Sequence, residues 1–229
     1  MENPVSFRRD EFAAVITMDD GKVNAMSPTM FVGLNDALDQ AEASKSITIL
    51  TGRPGRFSAG FDLSVISRGD ETSAALLNSG FEMAYRILSF PYPVIIASTG
   101  HAIAMGVFLT LAADYRIGAQ GAFKYTANEV AIGMTMPYTI IELARQRLTP
   151  SEFNRALNMA EIYSPDDALR AGFLDQVVAP DDVEATALAV AERFSKLDMR
   201  AHKATKLRTR EQALRATREA IERDFATLS

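Results

Sequence analysis

Val94-Ile-Ile-Ala-Ser-Thr-Gly-His-Ala-Ile-Ala-Met-Gly106 is the stretch from which the fold of this chain can be read. Val94 to Ser98 is a short, apolar, β-branched run that reads as a buried strand. Thr99 and Gly100 then turn the backbone, and a helix is expected from about Gly106 to Ala113. A strand that enters a tight turn and leaves as a helix is half of a crossover, the connection that parallel strands require. No Asp, Glu, Lys or Arg occurs from Pro91 to Ala113, a window long enough to invite a membrane reading. Pro93, Ser98, Thr99, Gly100 and His101 interrupt it, so strand, turn and buried helix explain it better, and no membrane partner is expected.

Working outward, the same plan recurs. Ala13–Met18 is a short strand ending at the turn Asp19-Asp20-Gly21. Ser27 and Pro28 fit an N-cap followed by proline at the first helical position. The helix they open runs to about Ala43, with Met30, Phe31, Leu34, Ala37, Leu38 and Ala41 at helical spacing. Ile47–Thr51 is the next strand, Gly52–Arg56 a loop, and Ala74–Leu88 a further helix. Strands alternating with helices, without a hairpin signal, predict an α/β protein with a parallel sheet. Val183–Leu197 and Glu211–Leu228 read as amphipathic helices, the second carrying Leu214, Ile221, Phe225 and Leu228 on one face.

With 229 residues and no linker-like or repeated segment, the chain is expected to form one unit. Its core spans residues 1–182, and residues 183–229 form a helical extension suited to oligomer contacts. The hydrophobic share of 48% and charged share of 23% are those of a soluble globular protein. The absence of cysteine excludes disulfides, thiolate metal sites and a Cys nucleophile, and fits a reducing, cytoplasmic compartment. Two histidines, His101 and His202, are too few for a His-rich metal centre. Met1–Phe12 holds Arg8, Arg9, Asp10 and Glu11 without an apolar run and does not read as a signal peptide. Residues 196–218 carry eight Lys or Arg against two acids, in a chain of net charge −5. A solvated helix face accounts for this more simply than a binding patch, and no nucleic-acid partner is expected.

Two segments carry the functional signal. Arg56-Phe-Ser-Ala-Gly-Phe-Asp-Leu63 and Thr99-Gly-His-Ala-Ile-Ala-Met-Gly106 both put small residues where the backbone turns tightly after a strand. The second also offers free amides at a helix N-terminus, where developing negative charge is favoured. Two such amides aimed at one point make an oxyanion hole, each donor worth about 3 kcal/mol. Taken singly, each segment is equally the pattern of an ordinary tight turn.

Four motifs in order resemble the enoyl-CoA hydratase/isomerase (crotonase) superfamily. They are Val23-Asn-Ala-Met-Ser27, Phe57-Ser-Ala-Gly-Phe-Asp-Leu63, Gly100-His-Ala-Ile-Ala-Met-Gly106 with Ala112-Ala-Asp-Tyr-Arg116, and Asn128-Glu-Val-Ala-Ile-Gly133. The resemblance runs from about Val5 to Val178 and implies a spiral of ββα turns with a helical C-terminal region, assembled as trimers or hexamers. It implies an acyl-CoA thioester as substrate and no separate cofactor. By the same resemblance the oxyanion amides belong to Phe61 and Met105, and the adenine-side contacts fall near Val23 and Ala25. Arg56 would approach the CoA phosphates, and Lys206 or its basic neighbours would reach them from an adjacent subunit.

The departures from the family pattern bear on the chemistry. Hydratases that this chain resembles use two glutamates. The first position is Phe108 here; the second matches Glu129. A lone carboxylate beside an oxyanion hole can move a proton from one carbon to another, which implies an enoyl-CoA (Δ3,Δ2) isomerase. An apolar wall, with Phe61, Phe108, Met134, Met136 and Tyr138 as candidates, would raise the pKa of Glu129. His101 is a core or turn histidine or an auxiliary proton carrier; Asp62 is expected to cap a helix and Asp114 to make a structural ion pair. Hydratase, thioester hydrolase or decarboxylase, and acyl-CoA-binding protein stand as alternatives. A serine peptidase on the same spiral is excluded, because Ile103-Ala-Met-Gly106 supplies no nucleophile.

Overall fold

The computed structural model describes residues 3–226. The chain begins with β1 (Val5–Arg9) and β2 (Ala13–Met18), paired antiparallel with Val5 opposite Met18. No glycine or asparagine marks this hairpin; the Asp10 N–H closes it on the Ala13 carbonyl at 2.8 Å. The parallel pairing expected throughout therefore fails at this one edge. After β3 (Ala25–Met26) comes α1 (Pro28–Ala43), whose N-cap Ser27 accepts the Met30 N–H as its sequence predicts. Next follow β4 (Ile47–Gly52), β5 (Gly55–Ser58), β6 (Gly60–Phe61), the short α2 (Leu63–Ile66) capped by Asp62, and α3 (Glu71–Ser89). The stretch from Val94 to Gly106 resolves into β7 (Val94–Ser98), β8 (Gly100–Ile103) and the start of α4 (Met105–Ala112).

The remainder is β9 (Tyr115–Ala119), β10 (Tyr125–Thr126), α5 (Tyr138–Arg145), α6 (Pro150–Asn158), α7 (Pro165–Ala171) and β11 (Gln176–Val178). Three helices end it: α8 (Val183–Ser195), α9 (Met199–Thr209) and α10 (Glu211–Ala226). The long strands form one sheet in the order β1-β2-β4-β7-β9-β11, while the short ones form β10-β8-β5 and β3-β6. Each turn thus sends a long strand to the main sheet and short strands to a second layer before a helix returns, and successive turns stack as a spiral.

Strand alternation divides the core. Ala14, Ile16, Leu50, Val94 and Ile96 face a cluster shared with α1, α3 and α4. Val15, Ile49, Ile95 and Ile117 face the opposite way, onto Val183, Ala187, Val190 and Ala191 of α8. Covering both faces is what an apolar, β-branched parallel strand needs, and each fully buried Val or Ile side chain contributes about 1.5–3 kcal/mol. Among the described residues no helix is long and apolar enough to cross a membrane.

The basic segment forms a helix of its own, α9, capped by Asp198, but it is not the wholly solvated helix face expected, because Lys206 and Arg210 turn inward. Asp114 ties it down, accepting the Val94 N–H at 2.8 Å, Lys206 Nζ at 2.6 Å and Arg210 at 2.8 Å. α10 lies across α3 and α5, with Leu214, Ile221 and Phe225 on the core; Leu228 is outside the described residues. Its Asp224 caps α5, accepting the Tyr138 and Thr139 N–H groups at 2.9 Å each.

Candidate active site

Two backbone turns meet across Gly60. β6 pairs with β3, and the Asp62 N–H donates to the Met26 carbonyl at 3.2 Å. Phe61 is the residue opposite Met26, so in this parallel pair its own N–H points to the other side of the strand. Gly60 has φ +92°, and a Cβ there would stand 2.8 Å from Ala104 Cβ, 3.0 Å from the Ile103 carbonyl and 3.5 Å from the Met105 nitrogen. Glycine is what lets the second turn come this close. Met105 is the first residue of α4, and the first intrahelical bond into the Ala104 carbonyl comes from Phe108 at 3.1 Å. The Met105 N–H therefore has no acceptor within the helix. Ala104 directs it by adopting φ +48°, a conformation that side chains other than glycine rarely take.

Phe61 and Ala104, whose peptide bond carries the Met105 N–H, both line a cavity of about 130 Å³. Its wall is otherwise apolar (Leu63, Ile66, Leu77, Phe81, Phe108, Ile132 and Met134 among others) apart from Asn128 and Glu129. Glu129 starts a single 3-10 turn, Val130–Ile132, closed by Gly133 at φ +79°. The Glu129 carbonyl accepts the Met134 N–H at 2.9 Å, so the turn holds the side chain in place. That side chain is 6% exposed and its Oε2 has no hydrogen-bond partner. Burial pushes the carboxyl from 4.5 up to about 7, opposed only by a bond from its own backbone N–H. Asn128 Oδ1 is buried and unpartnered in the same cavity. Among the described lining residues Glu129 is the one titratable group.

Of the residues expected to form the acyl wall, Phe61, Phe108 and Met134 line the cavity. Met136 and Tyr138 do not, although Pro137 between them does. Met136 is buried in the core, while Tyr138 stacks beneath Arg223 at 3.6 Å and gives its N–H to Asp224. Leu63, Ile66, Leu77 and Phe81 take their places. His101 also lies outside the lining: its Nδ1 accepts the Lys124 N–H at 3.0 Å and its ring meets Phe123 edge-on. Desolvation, with Arg56 and Lys124 nearby, lowers its pKa.

Val23 is partly exposed beside the cavity, its carbonyl accepting the N–H of the lining residue Ala59 at 3.0 Å. Ala25, two residues on, begins β3, and Arg56 is exposed on β5. Lys206 is elsewhere, buried with a side chain 4% exposed and paired to Asp114 rather than held out toward a neighbour.

Sequence reasoning missed the residue that organises this loop. Asn24, at φ +54°, donates through Nδ2 to the carbonyls of Met18, Arg56 and Phe57, and its carbonyl accepts Ser58 Oγ at 2.7 Å. Asp20 completes the loop by accepting the N–H groups of Lys22, Asn24 and Ala25. An asparagine next to a turn, tolerant of left-handed backbone, was the signal to follow.

The sequence profile described as enoyl-CoA hydratase/isomerase matches residues 8–228. The chain belongs to the enoyl-CoA hydratase/isomerase family. It is accordingly an acyl-CoA enzyme with the crotonase-type spiral. An enoyl-CoA hydratase/isomerase family protein of Pseudomonas syringae superposes with a TM-score of 0.96 at 47% identity, over 99% of this chain and 98% of that one. An enoyl-CoA isomerase of Mycobacterium tuberculosis superposes with a TM-score of 0.95 at 45% identity, over 99% of each chain. A probable enoyl-CoA hydratase of Bacillus subtilis is 30% identical over 199 residues, 84% of this chain and 76% of the relative. Names within the family divide between hydratase and isomerase, so the reaction must be argued from the site.

Proposed function

We propose that the chain shifts the double bond of a 3-enoyl-CoA to the 2-position, using Glu129 as its single proton carrier. The observation that carries this reading is the cavity: one buried carboxylate, no second acid among its described lining residues, and Phe108 in the wall. The thioester oxygen is received by the Phe61 and Met105 N–H groups. Glu129 takes a proton from C2, charge collects on the oxygen as a dienolate, and Glu129 returns the proton to C4 with the double bond now between C2 and C3. A carboxyl near pKa 7 suits both halves, being ionised enough to accept a proton and acidic enough to give it back. Phe108 and the aromatic wall exclude the water that a hydratase must hold. The polar part of CoA lies along Val23 and Ala25, with Arg56 meeting phosphate.

The test offers a 3-enoyl-CoA and a 2-enoyl-CoA to the protein and to Glu129→Gln, following products by mass spectrometry. Isomerised product of unchanged mass, lost in the variant, supports the proton shuttle. Gain of one water from the 2-enoyl thioester would replace the isomerase by a hydratase. CoA binding without turnover of either would favour a hydrolase or a binding protein.

A further inference from the structure

We propose that the acyl group this site accepts is short, about six carbons in all, and that Leu77, Phe81 and Phe108 set the limit. The proposal rests on the isomerase reading and names its substrate class. The cavity measures about 130 Å³. A cavity of roughly 150 Å³ lined by Leu, Ile and Phe takes one benzene, a molecule of six carbons. The space here must hold the reacting carbons as well as the tail, because Glu129 and Ala104 are part of its wall.

Two of the three side chains on the far side, Phe81 and Phe108, are fully packed, and the third, Leu77, is half-buried. Phe81 and Phe108 are 2% and 1% exposed. Phe81 is backed by Phe225 of α10 at 6.0 Å and flanked by Phe61 at 6.4 Å between ring centroids. The Phe61 ring is seated in a notch at Gly80, where even a Cβ would stand 2.5 Å from it, so it cannot back further into α3. The exposed members of the lining are Leu63 and Ile132, at 69% and 54%, and the side they border must also admit the thioester and CoA. A longer acyl tail meets the packed rings of Phe81 and Phe108, and can pass on that side only by displacing the half-buried Leu77.

The experiment measures kcat/KM for 3-enoyl-CoAs of increasing even chain length, from butenoyl to dodecenoyl. Values should rise about fourfold per methylene up to hexenoyl, the gain from burying each one, and fall at least about tenfold by decenoyl, where the tail must displace packed rings. Leu77→Ala, at a half-buried position of α3, should move the optimum to a longer chain. A profile flat or still rising through dodecenoyl, or one that Leu77→Ala leaves unmoved, overturns the proposal. Calorimetric titration with saturated acyl-CoAs of the same lengths ranks them without turnover. Best binding at hexanoyl with no isomerisation of any substrate would sink the isomerase reading alone. Equal binding at all lengths would sink the size limit alone.

Discussion

Glu129→Gln should abolish turnover and also make the protein more stable, by a margin that opens as pH rises above about 4.5 and is nearly complete by about pH 7. The carboxyl moves from 4.5 to about 7 on folding, because it is buried without a partner for Oε2. An acid whose pKa is raised by folding costs nothing below its unfolded value, where it is protonated in both states. The cost grows as pH rises and is complete above the folded value, where a bare carboxylate sits among apolar walls. At 1.36 kcal/mol per pH unit this reaches roughly 3 kcal/mol by about pH 8. In a chain of this size that corresponds to roughly 6–12 °C in Tm. Glutamine keeps the shape and never ionises, so scanning calorimetry at about pH 5 should find variant and parent within roughly 1 kcal/mol. At about pH 8 the variant should melt higher by the margin given. The same titration governs rate: the parent's kcat/KM should fall roughly a hundredfold between about pH 8 and pH 5 as the base is protonated. A variant no more stable than the parent at the higher pH, or activity flat across that range, would refute burial as the cause of the shift.

Gly60→Ala drives a Cβ to 2.8 Å from Ala104 at φ +92°, and kcat should drop roughly a hundredfold as the two amides separate, at a stability cost of about 1–3 kcal/mol. Asn24→Ala strips the carbonyls of Met18, Arg56 and Phe57 of their shared donor, and urea denaturation should register a loss of roughly 2–4 kcal/mol. Asp114→Asn leaves Lys206 and Arg210 buried without their counter-charge. It should cost roughly 3–5 kcal/mol by the same assay, part of which Asp114→Asn combined with Lys206→Met restores. His101→Gln should leave kcat and its pH profile within about twofold, where an auxiliary proton carrier would lose about a hundredfold.

The elements most legible in the sequence were those whose signal is local. Ser27-Pro28 marked the start of α1, and the β-branched run Val94–Ser98 marked β7, because capping and strand burial depend on near neighbours. The β1–β2 hairpin was not legible, since its turn uses an Asp10 backbone bond instead of a turn-specific residue. Helix α9 was hidden because its hydrophobic anchoring is slight and its hold on the core is ionic, through Asp114, 92 residues from Lys206. At the site, the glycine turns and Glu129 stood out by motif. The wall did not, because Leu77 and Phe81 enter it from α3, a helix whose long-range packing no local pattern encodes. Tyr138 looked like wall from its nearness to Met134 in sequence, yet it opens α5 after the N-cap Pro137, and Arg223 claims the ring.

Phe108 is more than the absence of an acid. Other buried polar atoms without partners here belong to Thr hydroxyls, Arg Nε groups, the Asn128 amide and the His202 ring; Glu129 contributes the only carboxylate oxygen among the described residues. A hydroxyl can rotate toward a partner and an Arg has other N–H groups already bonded, whereas a buried carboxylate can relieve itself only by taking a proton. In the proposed reaction the apolar wall that Phe108 helps to form drives proton uptake at Glu129, and the thioester supplies the proton. In the same proposed reaction the strain at Ala104, roughly 1–3 kcal/mol for a residue held at φ +48°, would serve the other end by aiming the Met105 amide. Proton uptake at Glu129 and negative charge at the thioester oxygen would then appear together, one relieving the buried carboxylate and the other meeting donors that have no partner within their own elements. A glutamate at position 108 would bring charge and water to this wall and weaken the first half of that coupling, which is why a single carboxylate suits this cavity.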